Sequence, residues 1–525
     1  MLVLSCTPST SFLAARRLCR TLHDQRWSCW EVIIGIETHA QIKSRQKLFS
    51  DSLTSRLGEA PNLHVSPFDA AFPGTLPKLN QKCVDLALRT ALALHSTIQM
   101  RSSFDRKHYF YSDLPAGYQI TQHYAPIALG GHVSIPNYGS PIRIKQIQLE
   151  QDTAKSTFDP RTQTSYIDLN RAGTGLLEIV TEPDLRSPEA AGAYVRTLQA
   201  ILRAIGASDG NMEAGSLRCD VNVSVNPVGE PLGTRCEIKN LNSVKFMQAA
   251  IIYEIHRQRA LLSGPDGTVP QETRGFNQDT FETFKMRSKE DAPDYRYMPD
   301  PNLGVLTLTP ERIEHITRTM PELPWETRNR LSGVYKLSEQ DADVLLNLDS
   351  GREVQFDGDH ADGGAVAYFG RICSEGRNPR VVFNWMAHEL LGRLSAAKLS
   401  FTDNPLSTSQ LGELIDLVQN GVITGTSGKL LLRHMLADPS SSSTPTEIAR
   451  SLSLLSSSSD SDLADLCAAA IAALPAEASA FRDGHRNVLN KILGWVMKES
   501  RGRADSKAAR EHLIMLLEGG NVGRG

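Results

Sequence analysis

From residue 31 to 41, EVIIGIETHAQ, apolar and polar positions alternate with the period of a β-strand. Val32, Ile34 and Ile36 fall on one face and Glu37, His39 and Gln41 on the other, so a carboxylate and an imidazole leave the same surface two residues apart. Such a pair suits a divalent metal or an acid/base couple, with other segments supplying what is missing. Taken alone, the stretch fits a half-buried edge strand with a solvated face better.

The alternation recurs. At 142–152, IRIKQIQLEQD, it puts Gln146, Gln148, Glu150 and Asp152 in phase. At 210–225, Cys219, Val221, Val223 and Val225 oppose Arg218, Asp220, Asn222 and Ser224, and at 235–246 Glu237 and Lys239 alternate with Cys236 and Ile238. Between them, a turn at Gly173 and Gly175 feeds an apolar strand, 176–180, whose only charge is Glu178. A charge there is costly to bury unless it is paired or bound to a metal. Ser187 then caps a helix with Pro188 at its first position running toward Ile205, and a long helix follows over 243–262.

Set side by side, these strands place Glu37, His39, Glu150, Glu178, Asp220, Glu237 and Lys239 on one polar face. That many carboxylates repel one another unless cations offset them, and one or more Mg²⁺ ions would do so. Two irregular stretches add basic groups. In 104–122, FDRKHYFYSDLPAGYQITQ, Arg106 and Lys107 sit with Tyr109, Phe110, Tyr111 and Tyr118 around a Pro-Ala-Gly turn, which reads as a ligand-facing loop, though an aromatic-stapled surface turn fits nearly as well. In 286–303, Arg287, Lys289 and Arg296 read as groups that hold phosphates beside the carboxylates, with a charged linker as the alternative that the embedded Tyr295 and Tyr297 disfavour.

From about residue 311 the pattern becomes helical, and beyond 405 a second helical part is interrupted by serine-rich pieces at 440–447 and 456–460. GTSGKL at 425–430 is not a phosphate loop, because Ile423 and Leu430 stand where that motif needs glycine and a hydroxyl residue. Lys498, Arg501 and Arg503 make a basic connector near the end, suited to RNA phosphates or to a solvated face. The expected fold class is α+β, a largely antiparallel sheet domain followed by helices.

The 525 residues leave room for several domains, and a net charge of −3 argues against a uniformly basic nucleic-acid coat. The eight cysteines form no CxxC and no pairing rhythm, so they read as free thiols of a reducing compartment. No apolar run of about twenty residues is present to span a membrane. Residues 1–26 carry Arg16, Arg17, Arg20 and Arg26 with Asp24 as the only acid, which fits a transit peptide over 1–28 and a mitochondrial matrix location somewhat better than a disordered tail.

The strings GIETHAQ, FYSDLPAGYQITQ, DLNRAGTGLLEIVTEPD, GNMEAGSLRCDVNVSV, CEIKNLNS and RSKEDAPDYRYMPDP, in order over roughly 31–303, closely resemble the B subunits of the glutamyl-tRNA(Gln) amidotransferases, in their mitochondrial form. The resemblance implies a catalytic cradle domain over 29–310, a helical domain over 311–405 and a tRNA-binding tail over 406–525. It also implies a reaction: ATP and Mg²⁺ phosphorylate the γ-carboxylate of glutamate misacylated on tRNA(Gln), and ammonia displaces the phosphate. The family's metal positions match His39, Glu150 and Glu178, with Glu37, Glu213 and Asp220 as further or outer ligands. An imidazole ligand leaves Mn²⁺ open as well. Arg106, Lys107, Lys239 and Arg287 are assigned to substrate or ATP phosphates on residue type and placement. No glutaminase or amidase string is present, so a separate A-type amidase subunit, with a small C-type partner, is implied, and ammonia would pass between active sites. The sequence departs from the family in two places. Ser66 and Asp69 occupy positions where many members carry the cysteines of a zinc site, so no zinc is expected, and the stretch between Thr273 and Lys289 is expanded, which obscures the place of Arg274. A stand-alone carboxylate–amine ligase and a non-catalytic tRNA-binding scaffold are the competing readings.

Overall fold

The computed structural model describes residues 25–27, 29–56, 58–135, 138–265, 267–288, 295–350, 353–359, 364–438, 443–455, 460–500 and 503–518. It is mixed α+β, and two compact units divide the chain: 1–326 with 353–360, and 327–352 with 361–525. The expected transit peptide lies almost wholly outside the described residues, as do Lys289 and Arg501.

The first unit is built on β1 (Trp30–Gln41). In chain order follow α1 (Gln81–Ala93), β2 (Asp105–His108), β3 (Tyr118–Thr121), β4 (Ile142–Gln151), β5 (Gly175–Thr181), α2 (Pro188–Ala204), β6 (Leu217–Pro227), β7 (Cys236–Leu241), α3 (Val244–Leu262), β8 (Glu272–Asn277) and β9 (Glu282–Ser288). The main sheet runs β9–β8–β7–β6–β1–β5–β4 and is extended by Ala128–Leu129 and Thr97–Ile98. Every pairing along it is antiparallel except β7 with β8. β2 and β3 form a separate small sheet with Met298–Pro299.

Alternation decides which face is covered. Val32, Ile34 and Ile36 of β1 and Val221, Val223 and Val225 of β6 enter one core, together with Tyr194 and Leu198 of α2 and Met247, Ile251 and Ile255 of α3. Ser187 caps α2 by accepting from the amide of Ala190, with Pro188 opening the helix, as the sequence predicts. The helical pattern starts inside this unit: Pro310–Arg318 lies against α1, where Arg312 meets Asp85 at 2.7 Å.

The second unit is helical. One core gathers residues from Leu331 to Leu454, a second from Leu463 to Leu517, and the break between them falls between Leu454 and Leu463. Among the described residues no single helix is long and apolar enough to cross a membrane. The bent pair Leu463–Ala473 and Pro475–Arg482 buries Cys467, Ala470, Ala478 and Phe481 in the last core.

Candidate functional site

Register carries the acids together. On β1, Glu37 lies opposite Asp220 of β6, while His39 lies opposite Glu178 of β5; Glu178 is in turn opposite Gln148 of β4, two residues from Glu150. Residues directly opposite in an antiparallel ladder share a face, so side chains from four adjacent strands converge. One ligand atom each from Glu37, His39 and Glu178 lie within 4.8 Å of one another. His39 Nε2 is 3.7 Å from Glu37 Oε1, and its Nδ1 is 3.8 Å from Glu150 Oε1.

Burial makes this crowd costly. Glu150 is 3% exposed and its Oε2 has no hydrogen-bond partner among the described residues. Burial first, then the neighbouring charges of Glu150 and Glu37, hold the Glu178 carboxyl well above the usual carboxylate range. An orphaned buried oxygen beside two carboxylates and an imidazole is a donor set that suits a divalent cation. Glu37, His39, Glu150 and Glu178 fit the Mg²⁺ or Mn²⁺ that the sequence called for.

Protein cations stand around this centre. Burial alone would lower the pKa of Lys107, but the fields of Glu150, Tyr297, Glu178 and Tyr109 outweigh it and hold the ammonium above its ordinary value. Its Nζ lies 5.1 Å over the ring of Tyr295. Tyr297, stacked on His123 at 3.9 Å, has its hydroxyl pushed up to about 12, chiefly by burial. Lys239 is aimed by a bulge between β6 and β7, where Asn240 takes a φ of 61° and donates its amide to Asp220. The Lys239 ammonium then reaches both Asp220 and Glu237 at 2.9 Å. Burial pushes the Asp220 carboxyl up, but Lys239 and His39 more than offset it, so Asp220 stays ionised as a partner of Lys239.

Other expected site residues are placed elsewhere. Arg106 alternates with Lys107 on β2 and faces the other way, with its Nε 2.7 Å from buried Asp300 and its guanidinium 4.1 Å over Tyr118. It is committed to a structural pair. Glu213 is exposed on the turn at 212–215. Arg287 pairs through its backbone with Thr273 in the outermost strand, β9, and its side chain lies outside the described residues. Arg274 is buried, binding Glu272 at 2.6 Å and Thr283, next to the fully buried Glu254 of α3. The expanded stretch thus forms the β8–β9 hairpin, locked to α3 by charge.

Residues without an assigned role in the sequence complete the surroundings. Gln119 donates to Glu150, Gln148 donates to Glu178, and Tyr109 donates to Gln119. Gln148 is in phase with Glu150 in the sequence, but phase alone does not tell a carboxylate's donor from a solvated amide. A second network lies alongside. Asp152, 3% exposed, accepts from Gln41 at 2.9 Å and from Arg218 at 2.9 Å, and Arg171 stands 3.7 Å away. Burial opposes the Asp152 charge, yet Arg218 and Arg171 bring its pKa below the ordinary value. A carboxyl depressed on folding contributes stability above its unfolded pKa of about 3.9, and that stability is lost as pH falls through the folded value. Replacing Arg218 by Met raises the folded pKa of Asp152, so acid unfolding followed by circular dichroism begins at a higher pH than in the wild type.

Fold and site together define a catalytic domain carried on an antiparallel sheet, with a helical region after it. Two family models match in that order: the GatB/GatE catalytic domain over residues 32–314 and the GatB domain over 367–517. The chain is 64% identical to the mitochondrial glutamyl-tRNA(Gln) amidotransferase B subunit of Laccaria bicolor, over 97% of each protein. It is 43% identical to the protein of that name from Mycosarcoma maydis, covering 93% of this chain and 86% of that one. To the aspartyl/glutamyl-tRNA(Asn/Gln) amidotransferase B subunit of Rickettsia rickettsii it is 42% identical, over 91% and 95%. The chain belongs to the B-subunit family of the tRNA-dependent amidotransferases and is a subunit of a ligase-type enzyme. The mitochondrial location expected from its basic N-terminal stretch agrees with the names of its fungal relatives.

Proposed function

We propose that this chain activates glutamate carried on tRNA(Gln) by phosphorylating its γ-carboxylate, within a mitochondrial amidotransferase that also contains an A-type amidase and a small C-type subunit. The observation that carries this reading is the cluster of Glu37, His39 and Glu178 ligand atoms within 4.8 Å of one another, with His39 also 3.8 Å from the buried Glu150, whose Oε2 has no hydrogen-bond partner among the described residues. A carboxylate is a poor acylating agent because oxide is a poor leaving group. In the first step an oxygen of the γ-carboxylate bonds to the γ-phosphorus of ATP and the bond to ADP breaks. In the second, ammonia from the partner bonds to the acyl carbon, phosphate leaves, and a proton is lost. Bound Mg²⁺ at the acidic centre supplies charge neutralisation while the phosphoryl group moves.

The chain's own residues do the rest. Glu150, Glu178, Glu37 and His39 hold the cation, and Lys107 faces the same acids as a fixed positive charge able to meet a phosphate. Lys239 holds Asp220 and Glu237 in place at 2.9 Å and favours the ionised form of Asp220. No zinc is proposed near Ser66, because Asp69 accepts from Lys47 and Ser50. The test is ADP release by the assembled three-subunit enzyme with ATP, Mg²⁺ and Glu-tRNA(Gln). The expected result is release that depends on the charged tRNA. Glutamine formed from free glutamate without tRNA would point to a stand-alone ligase, and no ADP at all would overturn the activation step.

A further inference from the structure

Two buried glutamines stand behind two buried acids of the site, Glu150 and Glu178. Gln119, 5% exposed, donates one amide hydrogen to Glu150 Oε1 at 2.8 Å and the other to the carbonyl of Gln151 at 2.6 Å, while its own oxygen accepts from the Tyr109 hydroxyl at 2.9 Å. Gln148, 4% exposed, donates to Glu178 Oε2 and to Thr121 Oγ1 at 3.3 Å, and its oxygen accepts from the amide of Gln146 at 2.7 Å. Both carboxamides are saturated. Flipping Gln119 would set its oxygen against two acceptors, and flipping Gln148 would set its oxygen against the Glu178 carboxylate, so the donor end of each is directed toward the acid.

The consequence for the acids is specific. With Oε1 of Glu150 held by Gln119, the oxygen left buried without a partner among the described residues is Oε2. With Oε2 of Glu178 held by Gln148, that carboxylate too is pinned through one oxygen. The donors are neutral. An ammonium or guanidinium in either place would cancel the negative charge that a cation needs, whereas an amide orients the carboxylate and leaves its charge intact.

We propose that Gln119 and Gln148 are positioning residues that present Glu150 and Glu178 to the divalent cation, with Tyr109 and Gln146 fixing the orientation of each glutamine. The assignment rests on the cation site proposed above. It gives the aromatic loop around Tyr109 a direct link to that site, Tyr109 to Gln119 to Glu150, so whatever moves the loop changes how Glu150 is held.

The test is Mn²⁺ titration of the full-length chain, reading free Mn²⁺ and the bound spectrum by electron paramagnetic resonance. Gln119→Leu and Gln148→Leu keep approximate shape and remove the donor; each raises the Mn²⁺ dissociation constant about 10–100-fold. Tyr109→Phe gives a smaller rise of the same kind. In the assembled enzyme the Leu variants regain ADP release when Mg²⁺ is raised, which general structural damage would not allow. If both Leu variants bind Mn²⁺ as the wild type does while Glu150→Gln loses it, the proposal is overturned. Should the Leu variants fail to fold, Tyr109→Phe decides, and an unchanged affinity and spectrum then refutes the positioning role. A wild-type chain without saturable Mn²⁺ binding overturns the cation site itself.

Discussion

Glu150→Gln and Glu178→Gln each lower tRNA-dependent ADP release by about 10³-fold, the rate equivalent of about 4 kcal/mol of lost charge stabilisation. The substitution keeps size and shape and removes one charge, so the loss reports on electrostatics. Both residues sit in a buried group of acids where burial and the charges of Glu150 and Glu37 raise the Glu178 carboxyl well above the usual carboxylate range. Removing one acid relieves that repulsion, so the thermal midpoint of the cation-free variants equals or exceeds that of the wild type. Activity falls while stability holds. A scaffold whose acids are only structural would give the reverse, with transamidation intact in both variants.

Lys47→Met destabilises the first unit by about 3–5 kcal/mol, because it leaves a buried carboxylate without its counter-charge. The Lys47 side chain is 0% exposed and that of Asp69 is 1% exposed. The ammonium donates to the carbonyl of His64 at 2.6 Å, to Asp69 at 3.1 Å and to the carbonyl of Leu169 at 3.2 Å. Asp69 also accepts from Ser50 Oγ and from the backbone amide of Ser66. One cation thus ties three segments that are distant in sequence. The fit is tight: Gly173 has a φ of 82°, and a Cβ there would collide with the Asp69 carboxylate. Burial lowers the pKa of Lys47, and Asp69 only partly restores it. Chemical denaturation should show Lys47→Met to be far less stable than the double variant Lys47→Met, Asp69→Leu, because removing both charges abolishes the unpaired one. Equal losses in the single and double variants would mean that the pair is not coupled.

The acidic centre and the Lys47 pair differ in how far the sequence reveals them. Glu37 with His39, Glu150, Glu178 and Asp220 can each be assigned to a strand's polar face by counting alternate residues, and the cap at Ser187 follows from residue type. The apolar faces of β1 and β6 were legible for the same reason. The role of Lys47 was not, since nothing in the surrounding QKLFS marks a lysine that will be buried. Arg106 and Lys107 are adjacent and chemically alike, and only the pairing of β2 with β3 and with Met298–Pro299 sends one to Asp300 and the other toward the acids. Gln119 carries no signal at all until β3 is placed beside the end of β4.

The sequence by itself determined which residues share a strand face, because the side-chain period of two is a local property of extended backbone. It also marked Glu178 as a charge in need of a partner. Tertiary structure alone decided the register that sets His39 opposite Glu178, the bulge that turns Lys239 onto Asp220, and the amides that leave one oxygen of Glu150 bare. Those outcomes depend on contacts between residues far apart along the chain, whose geometry is fixed only when the apolar faces pack and a one-residue slip would turn every side chain to the wrong side.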